Sequence, residues 1–231
     1  MPLRVFASNS VRGVTEALLP GFASTGAPPV EVVFDAAKAL MRRIDAGERA
    51  DVALLGTPTL QALAARGVVD PASVRPVASS GVGVAVKAGT HHPRIDTIEA
   101  FRQMLLDAPS IAHTTEGASG MYFSGLIDTL GLGPQVRHKT VTRPGGLIGE
   151  VLLAGDAVIG VQQISELRAV PGIEVVGPLP AGIQKHFGNA AGLFTGCADP
   201  SGAAALVAYL TSPDATAVYE AHGLTPGQEP A

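Results

Sequence analysis

His113, Ser119 and Tyr122 fall within one short stretch, AHTTEGASGMYF over residues 112–123, where small donors and two proton-carrying side chains meet between an apolar strand and an apolar helix. A histidine at such an edge can serve as acid or base near neutral pH, and it can equally be a hydrogen-bonded edge residue. Ser119, Gly120, Met121 and Tyr122 would open the helix. Helix starts leave N–H groups unpaired and carry a partial positive charge, so an anion suits this position. The same chemistry recurs at other strand ends: Ser8-Asn9-Ser10, Gly56-Thr57, Arg143-Pro144-Gly145-Gly146 and Gln162-Gln163. Arg143 could fork onto a carboxylate, or stand solvated at the surface. Each serine, asparagine or threonine could instead cap its own helix. Together these ends make an anion cradle.

Other chemistries find no footing. Zinc, EF-hand and P-loop spacings are missing, Gly81-x-Gly83 sits inside an extended run, and no Gly-x-Ser-x-Gly elbow occurs. Cys197 is alone, so neither a disulfide nor a Cys-x-x-Cys site is available. No metal and no cofactor are expected. A formal charge of -4, 4% aromatic residues and no tryptophan argue against nucleic acid as a partner. No apolar run reaches about 18 residues, so no membrane insertion is expected. Met1-Pro2-Leu3-Arg4 leads straight into an apolar run, which reads as cytoplasmic as the chain stands, and as periplasmic if an export signal was removed.

The elements that must position these residues follow from apolar spacing. Leu3–Ala7 reads as a strand, a polar turn follows, and Val11, Val14, Leu18 and Leu19 recur at helical spacing. Strands over 30–34 and 51–55 alternate with helices over 36–44 and from Gly56-Thr57-Pro58 through Ala65. Residues 74–87 form an extended segment, too long for one ordinary strand, that reads as a crossover containing Ser79 and Ser80. Asp96-Thr97-Ile98-Glu99 starts a helix through Leu106 in the manner of a capping box. Strands over 110–113, 136–141 and 157–161 then alternate with helices over 119–130 and 146–154. A second extended stretch, 187–195, precedes two closing helices. Repeated alternation implies parallel sheets with helices on both faces. With 231 residues, 46% of them hydrophobic, two α/β units are well supplied with core.

Several stretches resemble one family: VFASNSV, ASSGVGVAVKAGTHHPRID, SIAHTTEGASGMYFSGLIDTLGL, VQQISEL, EVVGPLP and LTSPDATAVYEAHGLTP. They are similar to the molybdate-binding-protein-like branch of the type II periplasmic binding proteins. The resemblance implies an α/β fold of two lobes, each a mainly parallel sheet flanked by helices, joined by two crossing strands. Lobe 1 would be 1–80 plus 195–231 and lobe 2 would be 81–194, with the ligand in the cleft. The ligand residues it implies are Ser8, Asn9, Ser10, Gly56 and Thr57 in lobe 1 and Ser119, Gly120, Met121, Tyr122, Gln162 and Gln163 in lobe 2. Ser79 and Ser80 of the extended segment and Arg143 of its strand-end turn are expected beside them. Molybdate binders of this branch carry a tyrosine where this chain has Gln162-Gln163, which argues against molybdate itself. The branch also holds proteins similar to aconitate isomerase, which the GVGVAVKAG and QQISEL stretches resemble more closely. That implies a cofactor-free double-bond isomerase of a small di- or tricarboxylate, with His113 or Tyr122 carrying the proton. The alternative is a solute-binding protein for a tetrahedral oxyanion or carboxylate, partnered by an ABC permease if the chain is exported. A regulator's effector domain shares the fold, but the chain shows no N-terminal helix-turn-helix.

Overall fold

The computed structural model describes residues 1–227. The chain forms two compact units: Met1–Ser80 with the chain from Phe187 onward, and Gly81–His186. In order, the elements of the first passage are β1 (Leu3–Ser8), α1 (Arg12–Ser24), β2 (Val30–Asp35), α2 (Ala37–Asp45), β3 (Val52–Gly56), α3 (Thr57–Ala65) and β4 (Arg75–Lys87). The second unit continues with α4 (Ile98–Asp107), β5 (Ile111–Thr114), α5 (Ala118–Thr129), α6 (Gly133–Val136), β6 (Thr140–Arg143), α7 (Ile148–Ala154), β7 (Ile159–Gln163), α8 (Ile164–Arg168) and β8 (Ile173–Pro178). The chain returns through β9 (His186–Leu193), α9 (Pro200–Leu210), α10 (Thr216–Ala221) and β10 (Thr225–Pro226).

In the first unit β1 lies between β2 and β3, parallel to both. β9 runs antiparallel to β3, and β10 antiparallel to the first half of β4. Alternation along each strand sends side chains to opposite faces. Leu3, Val5 and Ala7 of β1, with Val52 and Leu54 of β3, join a core under α1 and α9; Phe6, Ala53 and Leu55 join another with Leu40, Ile44, Leu60 and Leu63 of α2 and α3. Phe6 meets Phe194 edge to face at 5.9 Å between ring centroids. Both faces are therefore covered, as the alternation implied.

The second unit repeats the plan on a smaller scale. β5 is flanked by β6 and β7, parallel to each. The second half of β4 runs antiparallel to β7 and β8. Ile148 and Leu152 of α7 close over Ala112 and Ala85. α4 opens on Thr97, whose hydroxyl accepts the Ala100 N–H at 3.1 Å. Thr97→Ala is expected to lower stability by about 1 kcal/mol, seen as a shifted urea midpoint at unchanged slope.

Residues 75–87 form one continuous strand of 13 residues whose first half belongs to one unit and whose second half belongs to the other, which is the expected crossover. Two sequence expectations change. The strand expected over 136–141 begins only at Thr140: Gly133-Pro134 opens a short helix, with proline in the first turn where its missing N–H costs nothing, and Val136 is buried within it. Residues 187–194, expected in lobe 2, fall in the first unit, because Asn189 to Leu193 pair with Gly56 to Val52 of β3.

Candidate functional site

In the first unit β1 ends at Ser8, and Asn9 and Ser10 turn the chain toward α1; all three are buried. Ser10 Oγ donates to Asn189 Oδ1 at 2.9 Å, and Asn9 Oδ1 accepts from Arg12 Nη2 at 3.3 Å. Asn189 is brought there by register, since it pairs with Gly56 at the end of β3. Two buried atoms of this group have no partner among the described residues: Thr57 Oγ1 and Asn189 Nδ2. Ser79 and Ser80 are buried in β4, where Ser79 pairs with Thr225 and Ser80 Oγ donates to the Gly223 carbonyl at 3.0 Å.

In the second unit the end of β5 and the start of α5 are pressed together. Gly117 is the residue before the helix, and a Cβ there would come within 2.6 Å of Thr114 Oγ1. A Cβ at Gly120 would run into the Thr114 carbonyl itself. Only glycine at these positions lets the helix start so close to the strand end. Thr114 Oγ1 and Ser119 Oγ are buried there without partners, whereas Met121 is 42% exposed. His113 is buried with its ring edge on Phe123, 5.3 Å between centroids, and its Nδ1 lies 3.0 Å from the Thr114 carbonyl. A carbonyl only accepts, so Nδ1 carries the proton and Nε2 is the basic nitrogen of the neutral ring. Burial, outweighing the carbonyl contact, depresses the imidazole pKa, so the ring stays neutral at pH 7. The Tyr122 hydroxyl donates to the Ile183 carbonyl at 2.7 Å, and burial raises its pKa.

Arg143 ends β6, and its Nη1 is held to Glu150 Oε2 at 2.8 Å across the turn containing Gly146, whose φ is 87°. Its charge is thus balanced within the unit. Gln162 and Gln163 end β7, and both are buried. Gln162 Oε1 accepts the Ile148 N–H at 2.8 Å, while its Nε2 donates to the Gly146 carbonyl at 2.9 Å and to Glu166 Oε1 at 3.0 Å. Gln163 Nε2 lies 3.5 Å from Glu166 Oε2, and its Oε1 is buried without a partner. Glu166 itself is buried; desolvation raises its pKa to about 8 against the lowering effect of these amides.

The capping alternative fails at these positions. No side-chain cap bond forms at Ser8, at Gly56 before Thr57, at Gly117, at Leu147 or at Gln163. Thr97 and Asp199, which start α4 and α9, do cap their helices. A buried polar atom left unpaired costs about 1–3 kcal/mol, so such atoms call for a reason. Thr57, Asn189, Thr114, Ser119 and Gln163 supply five of them, all at or beside strand ends. Thr114, Asn189 and Glu166 escaped the sequence-based choice of site residues. For Asn189 a signal existed: it is a lone amide inside the small, apolar run Gly188-Asn189-Ala190-Ala191-Gly192.

Open α/β sheets hold small ligands beyond the carboxyl ends of their strands, where these atoms lie. The chain belongs to the bacterial extracellular solute-binding protein family, which matches residues 3–225. It is 32% identical over 230 residues to an aconitate isomerase from a Pseudomonas species, covering 97% of this chain and 87% of that protein. Its fold matches the periplasmic molybdate-binding protein of Azotobacter vinelandii with a TM-score of 0.81 at 18% identity, over 98% of this chain and 100% of that one. The sulfate-binding protein of Mycobacterium tuberculosis H37Rv matches at a TM-score of 0.76 and 16% identity, over 98% and 87% of the two chains. At those identities the likeness to solved structures is one of fold. Among the described residues no helix is long and apolar enough to cross a membrane.

Proposed function

We propose that this solute-binding-family protein binds a small di- or tricarboxylate and shifts a carbon–carbon double bond in it without a cofactor; its 32%-identical relative is named an aconitate isomerase. The observation that carries the reading is the set of buried donors left without partners among the described residues: Thr57 Oγ1 and Asn189 Nδ2 in the first unit, Thr114 Oγ1 and Ser119 Oγ in the second. Neutral donors suit an anion whose charge must move during reaction, because they stabilise it without pinning it to one oxygen.

Such an isomerase needs a base to remove an allylic proton and an acid to return one at the far carbon. It also needs donors for the carboxylates while charge spreads into them. The carboxylate holders are Ser8, Ser10, Thr57 and Asn189 on the first unit, and Thr114 and Ser119 on the second. His113 is the proton acceptor, being neutral with its proton on Nδ1 and its lone pair on Nε2. Tyr122, whose raised pKa keeps it protonated, is the donor.

Incubation with trans-aconitate in deuterated water tests the reaction: an isomer carrying deuterium is expected, and neither isomer nor deuterium across related polycarboxylates would sink it. Ser119→Ala tests the site. Because Ser119 Oγ has no partner among the described residues, its removal is expected to leave thermal stability unchanged or higher while weakening carboxylate binding about tenfold. Loss of stability with unchanged affinity would make Ser119 structural.

A second reading, a receptor delivering its anion to an ABC permease, is favoured by the extracellular description of the family. It requires the same donors and no proton carrier. Stabilisation by carboxylates or molybdate with no deuterium entering the ligand would select it.

A further inference from the structure

We propose that the anion site takes up a proton together with its ligand, and that the Glu166 carboxylate is the group that receives it. This rests on Gln163 belonging to the anion site. α8 follows β7 without a break, so Glu166 lies one turn beyond the two glutamines, with Gln162 Nε2 on one oxygen and Gln163 Nε2 toward the other. Gln162 is fixed in orientation: its carbonyl accepts the Ile148 N–H and its amino group is shared between Gly146 and Glu166. Turning that amide over would break every bond it makes. Gln163 is not fixed: among the described residues its one side-chain bond is the long one to Glu166, and its Oε1 is buried with no partner.

The consequence is a mismatch that a proton corrects. With Glu166 ionised, the Gln163 amino group is drawn to the carboxylate and an acceptor oxygen is left over, the wrong polarity for an anion. With Glu166 protonated, its O–H donates to Gln163 Oε1 after an amide turn, and Nε2 becomes a free donor. An arriving anion therefore favours the protonated state twice: a donor is gained and a like charge is removed. Burial already opposes ionisation of this carboxyl, which titrates near pH 8 before any ligand arrives.

Among the described residues no cation pairs with Glu166, and its bonding partners are amides. β4, opposite the glutamines, presents Val82 and Gly83. On α7 the charged Glu150 is engaged with Arg143, on β8 Glu174 is engaged with His92, and Arg168 is the one charged neighbour on α8 itself.

Calorimetric titration with trans-aconitate, in two buffers of different ionisation enthalpy at about pH 8.5, reads the proton directly. Carboxylic acids have ordinary pKa values of about 4, so the ligand is fully ionised there and brings no proton of its own. The expected result is a buffer-dependent heat corresponding to a substantial fraction of one proton taken up. Affinity should also decline by up to tenfold per pH unit above about 8. In Glu166→Gln the uptake and the pH dependence should both vanish. Binding with identical heats in the two buffers overturns the inference and leaves the carboxylate reading intact, as does uptake that persists in the variant. If molybdate binds and carboxylates do not, the carboxylate reading falls, and the same two-buffer comparison on molybdate decides the proton. Binding of neither anion overturns both.

Discussion

Gly120→Ala is expected to lower stability by about 3 kcal/mol and to weaken anion binding at the same time. The added Cβ would meet the Thr114 carbonyl, which is backbone at the end of β5 and cannot swing aside. β5 is held from both sides by β6 and β7, so the start of α5 must retreat instead. Ser119 and the open amides of the first turn move with it. Helix propensity alone pulls the other way, since alanine in a helix is favoured over glycine by about 1 kcal/mol. A net loss therefore measures the steric term. Gly125 on the same helix is the internal control: it is exposed, with no atom within 4 Å of where its Cβ would stand. Gly125→Ala should stabilise by about 0.5–1 kcal/mol. Melting temperatures and carboxylate affinity of the two variants check both signs, and equal behaviour would refute the close approach of α5 to β5.

Glu166→Gln is expected to stabilise the protein, and only above mildly acidic pH. Burial pushes the folded carboxyl up to about 8 from the ordinary glutamate value of 4.5. A group whose pKa is raised by folding contributes stability that is fully present below its unfolded pKa and is lost as pH climbs through the folded one. The wild type should thus shed stability between pH 4.5 and 8, to an extent on the order of 3–5 kcal/mol. The glutamine keeps the neutral hydrogen bonding and does not titrate, so the gap between variant and wild type should open across that window. His113 titrates in the opposite sense, with its pKa lowered, but it is common to both proteins and cancels from the difference. Denaturant unfolding at pH 5 and pH 9 is the measurement. A gap of the same size at both would show that the carboxyl is not held neutral by the fold.

The apolar spacing made most strands and helices legible, and with them the strand ends where Ser8 to Ser10, Thr57, Ser119 and the glutamines fall. What spacing cannot show is whether a polar atom finds a partner. Ser80 and Ser119 look alike in sequence, yet one hydroxyl bonds Gly223, far along the chain, and the other is left buried and unbonded. Asn189 reaches the first unit's group only because β9 pairs with β3 in one register. Arg143 read as a free fork because Glu150, seven residues on, comes into reach only when the turn at Gly146 closes. Glu166 was hidden for a related reason. A glutamate in the first turn of a helix is ordinarily a solvated residue complementing the dipole, and its burial depends on the whole second unit.

The two units differ in how the ribosome delivers them. Gly81–His186 is one unbroken span, whereas the first unit's core joins Leu3, Val5 and Val52 to Ala191, Leu206 and Tyr219. The later-made unit therefore has all its parts in hand while the earlier-made one still waits for β9 and α9. Until they emerge, the edge of β3 is open and its apolar faces are half covered. Every strand and helix of Gly81–His186 thus precedes β9 in the chain, while the first unit's core cannot be complete without it.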